Sequence, residues 1–166
     1  MLYAIVFQTI TLLMGGRAMP FEQISRYSTA IANVVETEQL PFSGREAKAK
    51  AAILIAVVAF YESGFREEIE SCTSPRRKGW EDNGHSISLL QLYDGPARYG
   101  FSRDEICGDV ELQFRLGLRY LTAQIRQCGD VERGLSSYNS NHCQISIYGA
   151  RIENAASRVE IGRAHV

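Results

Sequence analysis

The sequence predicts a single, mainly helical domain, and three observations carry that expectation. Apolar side chains recur at helical spacing in separate stretches. Capping-type sequences stand before two of them, and one run, Ala51 to Phe60, is apolar on every face. The chain has 166 residues, 45% hydrophobic and 22% charged, which is ordinary globular composition with enough length for a core. The same figures argue against a disordered, collagen-like or coiled-coil chain. Lys+Arg 18 against Asp+Glu 19 leaves a net charge of −1. That balance gives no electrostatic footprint for nucleic acid or for an anionic membrane surface.

Residues 2–14 are nearly all apolar and are followed by Gly15, Gly16, Arg17 and Ala18. Thirteen residues fall short of the roughly 20 that span a bilayer, so no stable membrane span is expected. The length suits the apolar region of a secretory signal, and Gly16-Arg17-Ala18 has some character of a small-residue cleavage site. No Lys or Arg precedes the stretch, which leaves a first core helix or a vestigial leader as the alternatives. Residues 19–166 read as one domain.

Phe21, Ile24, Tyr27, Ile31, Val34 and Val35 mark a helix over 20–37, with Pro20 acceptable at its start. Pro41 to Gly44 breaks the pattern, and Ser43-Gly44-Arg45-Glu46 reads as a capping box. The apolar helix behind it ends at Tyr61-Glu62-Ser63-Gly64, where Gly64 is a suitable stop. Residues 71–88 read as a long loop or short irregular strands. Ser102-Arg103-Asp104-Glu105 is a second capping box opening a short turn. Asp109 opens a longer helix to about residue 127, with Val110, Phe114, Leu116, Gly117, Tyr120, Leu121 and Ile125 as inward candidates. Gly129-Asp130 interrupts it. Val131, Leu135 and Tyr138 indicate another short helix, and a final one covers 148–160.

Cys72, Cys107, Cys128 and Cys143 contain no CxxC pair, so a structural zinc site has little support and no metal is expected. Four thiols or, in an exported protein, two disulfides are the alternatives. A straight helix over 109–127 is roughly 28 Å long. Cys107 and Cys128 flank its ends, whereas a disulfide needs Cα atoms within about 7 Å. That removes 107–128 with its complement. Of the two remaining frameworks, 72–107 with 128–143 is preferred because 128–143 closes a short local loop.

Glu62 is the informative residue. It follows a wholly apolar helix, with Val58 and Ala59 one turn back on its own face. A carboxyl group against that surface loses hydration, which raises its pKa and lets it hold a proton near neutral pH as a general acid.

The order of motifs around Glu62 resembles the lytic transglycosylase domain of the lysozyme-like superfamily. Glu62 and Ser63 match that family's Glu-Ser at the end of a buried helix. Leu89 and Gln91 match its Gly-Leu-Met-Gln, and Tyr138 and Asn139 its Ala-Tyr-Asn. Asp109, Gly117, Tyr120 and Leu121 resemble the helix between them. The likeness covers roughly residues 45–145. Ser88 replaces the family's Gly, Leu90 its Met and Gln113 a common Asn, while Ser137 and Ser140 replace small residues beside the Tyr-Asn pair. If the backbone at 88 needs a positive φ, Ser there is strained.

The resemblance implies a lysozyme-like fold with a substrate groove between the Glu62 helix and the 75–100 segment. It also implies cleavage of peptidoglycan between N-acetylmuramic acid and N-acetylglucosamine to give a 1,6-anhydro end, with no metal or cofactor. Glu62 would be acid and then base. Gln91 would bond the sugar near the scissile linkage, and Tyr138 would hold Glu62 or the N-acetyl group. Ser63 would support Glu62, and Asn139 would cap the adjacent turn or touch sugar. A periplasmic, secreted or phage-borne setting follows, with a cell-envelope or phage assembly partner.

Two rivals stand beside this reading. A hydrolytic lysozyme would use Glu62 and a second carboxylate, for which Glu81 and Asp82 are the loop candidates. A non-catalytic glycan-binding module would keep the fold alone. Trp80 is a candidate to stack on sugar or to pin its loop, His85 reads as a loop residue, and Arg76-Arg77-Lys78 as a small solvated basic patch.

Overall fold

The computed structural model describes residues 1–73, 85–93 and 95–164. Eight α-helices account for most of them: α1 (Leu2–Met14), α2 (Phe21–Thr37), α3 (Ala47–Ser63), α4 (Glu67–Glu70), α5 (Arg103–Gly108), α6 (Val110–Cys128), α7 (Val131–Ser140) and α8 (Ile147–Ala164). A 3-10 turn spans Pro96–Arg98. Among the described residues, strand pairing is limited to one antiparallel bridge between Ile87 and Leu92. The chain is mainly α.

The centre is α3. Ala51 to Ala59 are all buried, because the helix is surrounded: α1 and α2 pack on it, α8 crosses it and α6 touches it. An amphipathic stripe would have left one side wet. The run of small and branched residues instead lets several helices approach at once. Gly64 ends α3 in the left-handed conformation at φ 61°, returning its N–H to Phe60. This stop places Glu62 in the last turn of a buried helix.

The helix start differs from the sequence expectation. Ser43 does not cap α3. Glu46 occupies the N-cap without a side-chain hydrogen bond, and Gly44 turns the chain at φ 86°. That turn leaves Ser43 outside the helix. The Ser102 box forms as expected, with reciprocal bonds between Ser102 and Glu105, and Asp109 caps α6 through Leu112 N–H.

Residues 2–14 form a helix whose Ile5, Val6, Thr9 and Ile10 are buried against α2 and α3. Among the described residues no helix is long and apolar enough to cross a membrane.

Two disulfides, Cys72–Cys107 and Cys128–Cys143, join positions 35 and 15 apart in the chain. This is the preferred pairing: the nineteen residues of α6 exclude a 107–128 bridge, and the short local loop between 128 and 143 favours this one of the two frameworks left. The first bridge lies beside an ionic cluster in which Glu70 and Tyr27 are buried and Arg26 is exposed. Arg26 grips Glu70 with both guanidinium nitrogens, and the Tyr27 hydroxyl donates to the same carboxylate. Gln113 continues this cluster into the site region. Its Nε2 donates to the backbone oxygens of Glu70 and Ile106, and its Oε1 accepts from Leu89 N–H at 3.1 Å.

Candidate active site

Glu62 sits at the junction of α3 and α8, half-buried, with its Oε1 accepting a hydrogen bond from the Tyr148 hydroxyl. Burial pushes its carboxyl from the ordinary value near 4.5 up to about 7, and the Tyr148 bond pulls against that rise. The first effect is desolvation of the charged form, the second its stabilisation by a donor. Desolvation wins. Burial and the facing Glu62 charge also push the Tyr148 and Tyr138 hydroxyls upward, so both stay protonated donors. The three side chains form one cluster, with α3, α7 and α8 each supplying a member.

Tyr138 lies near enough to Glu62 to feel its charge. It is buried, and its hydroxyl donates to the Leu90 carbonyl at 2.6 Å. Its ring packs on Tyr120 with centroids 5.2 Å apart. It therefore fixes the turn over residues 88–91, the segment that carries Gln91. The sequence assigned Tyr138 to Glu62 or to the N-acetyl group of a sugar; its hydroxyl bonds Leu90 O, and the hydroxyl bonded to Glu62 belongs to Tyr148.

Gln91 is half-buried at φ 47°, and its Nε2 donates to Ser88 O at 3.0 Å. Among the described residues its Oε1 accepts no hydrogen bond. Ser88 adopts φ 71°, the left-handed backbone that a glycine would take without strain. Its Oγ is buried without a partner among the described residues, so this turn holds both a steric and a polar cost. Tyr138 from one side and Gln113 from the other hold the turn in that shape.

Ser63 is buried. Its Oγ donates to Ala59 O at 2.7 Å and accepts from Phe65 N–H at 3.2 Å, which ties off the end of α3 beneath Glu62. Asn139 is exposed on α7, and the turn after that helix is capped by Asn141 at φ 59°. Asn141 also accepts from the Tyr120 hydroxyl at 2.9 Å. Trp80, Glu81, Asp82 and Arg76-Arg77-Lys78 lie outside the described residues. Of the 75–100 segment, beside which the groove is expected, the described residues are 85–93 and 95–100.

The residue that sequence reasoning missed is Tyr148. A signal for it existed in α8, where Tyr148, Ile152, Ala156 and Val159 follow helical spacing along one inward stripe. A hydroxyl at the first position of an otherwise aliphatic stripe calls for a buried acceptor. Nothing local to α8 says that the acceptor is Glu62.

Comparison with known proteins finds no matching family model, no matching curated protein and no matching solved structure. The chemistry rests on the chain's own residues. A protonated carboxyl that titrates near neutrality can donate a proton to a substrate oxygen and take one back. Of the charged groups described, none adds to the Glu62 shift, whose causes are burial and Tyr148 alone.

Proposed function

We propose that the protein is a peptidoglycan lytic transglycosylase with a lysozyme-like fold, cleaving the β-1,4 bond between N-acetylmuramic acid and N-acetylglucosamine. The observation that carries this reading is Glu62, a carboxyl raised to about 7 at the end of a buried helix and held by Tyr148. It has the protonation a general acid needs at neutral pH.

Protonated Glu62 gives its proton to the glycosidic oxygen as the anomeric C–O bond breaks and positive charge builds on the sugar. The carboxylate then takes the proton of the sugar's 6-hydroxyl, and that oxygen bonds to the anomeric carbon. The product is a 1,6-anhydro end, and Glu62 regains its proton. Tyr148 steadies the carboxylate between the two transfers and keeps Oε1 oriented. Gln91 Oε1 accepts from an N–H or O–H of the sugar, on a turn set by Tyr138. Ser63 supports the end of α3, and Asn139 lies on the exposed side of α7. The two disulfides suit an oxidising setting, in line with a cell-envelope or phage-borne enzyme.

Mass spectrometry of purified peptidoglycan digested with the wild type and with Glu62→Gln tests the reading. Products one water lighter than lysozyme products, absent with the variant, are expected. Water-containing products would replace the proposal with a hydrolytic lysozyme. No products across several peptidoglycan types would leave a glycan-binding module.

A further inference from the structure

α8 contributes to a second opening. A cleft of about 640 Å³ lies between α1, α3 and α8, lined among others by Leu12, Leu13, Tyr61, Arg151, Arg158 and Val159. That volume is in the range of sites that hold a small organic ligand or a short peptide. Its chemistry is divided: aliphatic carbon from α1 and α8, an aromatic ring from α3, and two guanidinium groups.

The arginines are set apart from most others in the chain. Arg26, Arg115, Arg119 and Arg133 are paired with carboxylates, and Arg126 bonds Gln39 and Leu40. Arg151 and Arg158 are exposed and, among the described residues, form neither an ion pair nor a hydrogen bond. Seven positions apart on one helix, they face the same way about 10 Å from each other along the axis. Cationic side chains left unpaired beside apolar surface suit a ligand with carboxylates on an aliphatic frame.

The cleft shares two elements, α3 and α8, with the Glu62 site. Tyr61 directly precedes Glu62 on α3, and Arg151 follows Tyr148 by one turn of α8. We propose that this cleft holds the stem peptide of a peptidoglycan strand, with its carboxylates on Arg151 and Arg158, while the sugar chain reaches Glu62. The assignment rests on the transglycosylase reading. Extended peptide rises about 3.3 Å per residue, so carboxylates some three residues apart span the two arginines.

Two measurements on the full chain test it. Calorimetry with the free tetrapeptide stem, released from peptidoglycan by an amidase, compares wild type with the double variant Arg151→Gln/Arg158→Gln. Turnover is then compared on intact peptidoglycan and on amidase-stripped glycan strands. The expected result is peptide binding by wild type, at least tenfold weaker in the variant. The variant's KM for intact strands should rise about tenfold, against less than twofold for stripped strands. Equal peptide affinity in both proteins, no peptide binding by wild type, or an equal loss on both substrates would overturn the assignment. The calorimetry needs no turnover. Peptide binding without 1,6-anhydro products would sink the transglycosylase reading and leave the cleft standing, whereas products without peptide binding would do the reverse.

Discussion

Gly117 on α6 lies so close to Leu90 that a Cβ built on the glycine would stand 2.4 Å from Leu90 Cγ. The Leu90 carbonyl oxygen in turn accepts a hydrogen bond from the Tyr138 hydroxyl at 2.6 Å. The missing side chain at 117, the 88–91 turn and the α7 tyrosine are therefore joined at one residue. Gly117→Ala is expected to destabilise the protein by about 1–3 kcal/mol through overpacking, less the ~1 kcal/mol that Ala gains over Gly in a helix. Thermal unfolding reads this directly, and a variant melting at or above the wild type would show that Leu90 moves aside freely.

Tyr148→Phe removes the donor that holds the Glu62 carboxylate, and so removes the one influence lowering its pKa. The Glu62 pKa should rise above about 7. A hydrogen bond to a charged group contributes roughly 1.5–3 kcal/mol, which corresponds to a shift of about one to two pH units. The alkaline limb of the kcat–pH profile moves up by that amount, with a lower maximum rate. A limb that stays in place would assign the titration to a group other than Glu62.

Glu62→Gln separates catalysis from stability. Loss of the acid should lower kcat by about 10²–10⁴-fold. Stability should move the other way. Because burial raises the Glu62 pKa from 4.5 to about 7, the folded chain binds its proton more tightly than the unfolded chain. The group's favourable contribution is complete below the unfolded value and is lost as pH climbs through the folded one. At pH 8 the variant, which carries no charge to bury, is expected to be more stable by up to about 3 kcal/mol. The gap should close toward pH 4, and denaturant titrations at the two pH values measure it. A constant gap would mean that the side chain is better hydrated than its position implies.

Removing the Cys128–Cys143 bridge by serine replacement should cost about 3 kcal/mol on chain-entropy grounds for a loop of this length. The longer Cys72–Cys107 loop should cost slightly more, about 4 kcal/mol by the same relation. Melting curves of the two double-serine variants give the order. The first should also lower kcat, because Cys143 anchors the segment that leads into α8 and Tyr148. Unchanged turnover in that variant would show that packing of α8 on α7 and α3 suffices to hold Tyr148.

What the sequence disclosed followed from short-range rules. Helix limits at Pro20, Gly64 and Gly129 were legible because backbone freedom is local to those residues. One helix, acting as a ruler between two cysteines, removed one of the three disulfide frameworks, and the shortness of the 128–143 loop favoured the one observed. Glu62 stood out because an all-apolar helix leaves a terminal carboxyl little water. Ser43-Gly44-Arg45-Glu46 misled because the same four residues also make a glycine turn, and the turn formed. The strain at Ser88 was legible only as a condition, since its φ of 71° depends on Tyr138 and Gln113 fixing the turn from distant helices. Tyr148 was not legible at all as a partner of Glu62, because no local pattern encodes a contact across 86 positions.

That separation has a consequence for when the protein becomes competent. Glu62 is synthesised 86 residues before Tyr148, so the pair exists only after α8 has docked on α3. A nascent or partly folded chain carries the acid without its holder. Under the proposed function, docking of α8 thus acts as a checkpoint on assembly, and a chain in which α8 has not docked is one whose acid is not yet poised for catalysis.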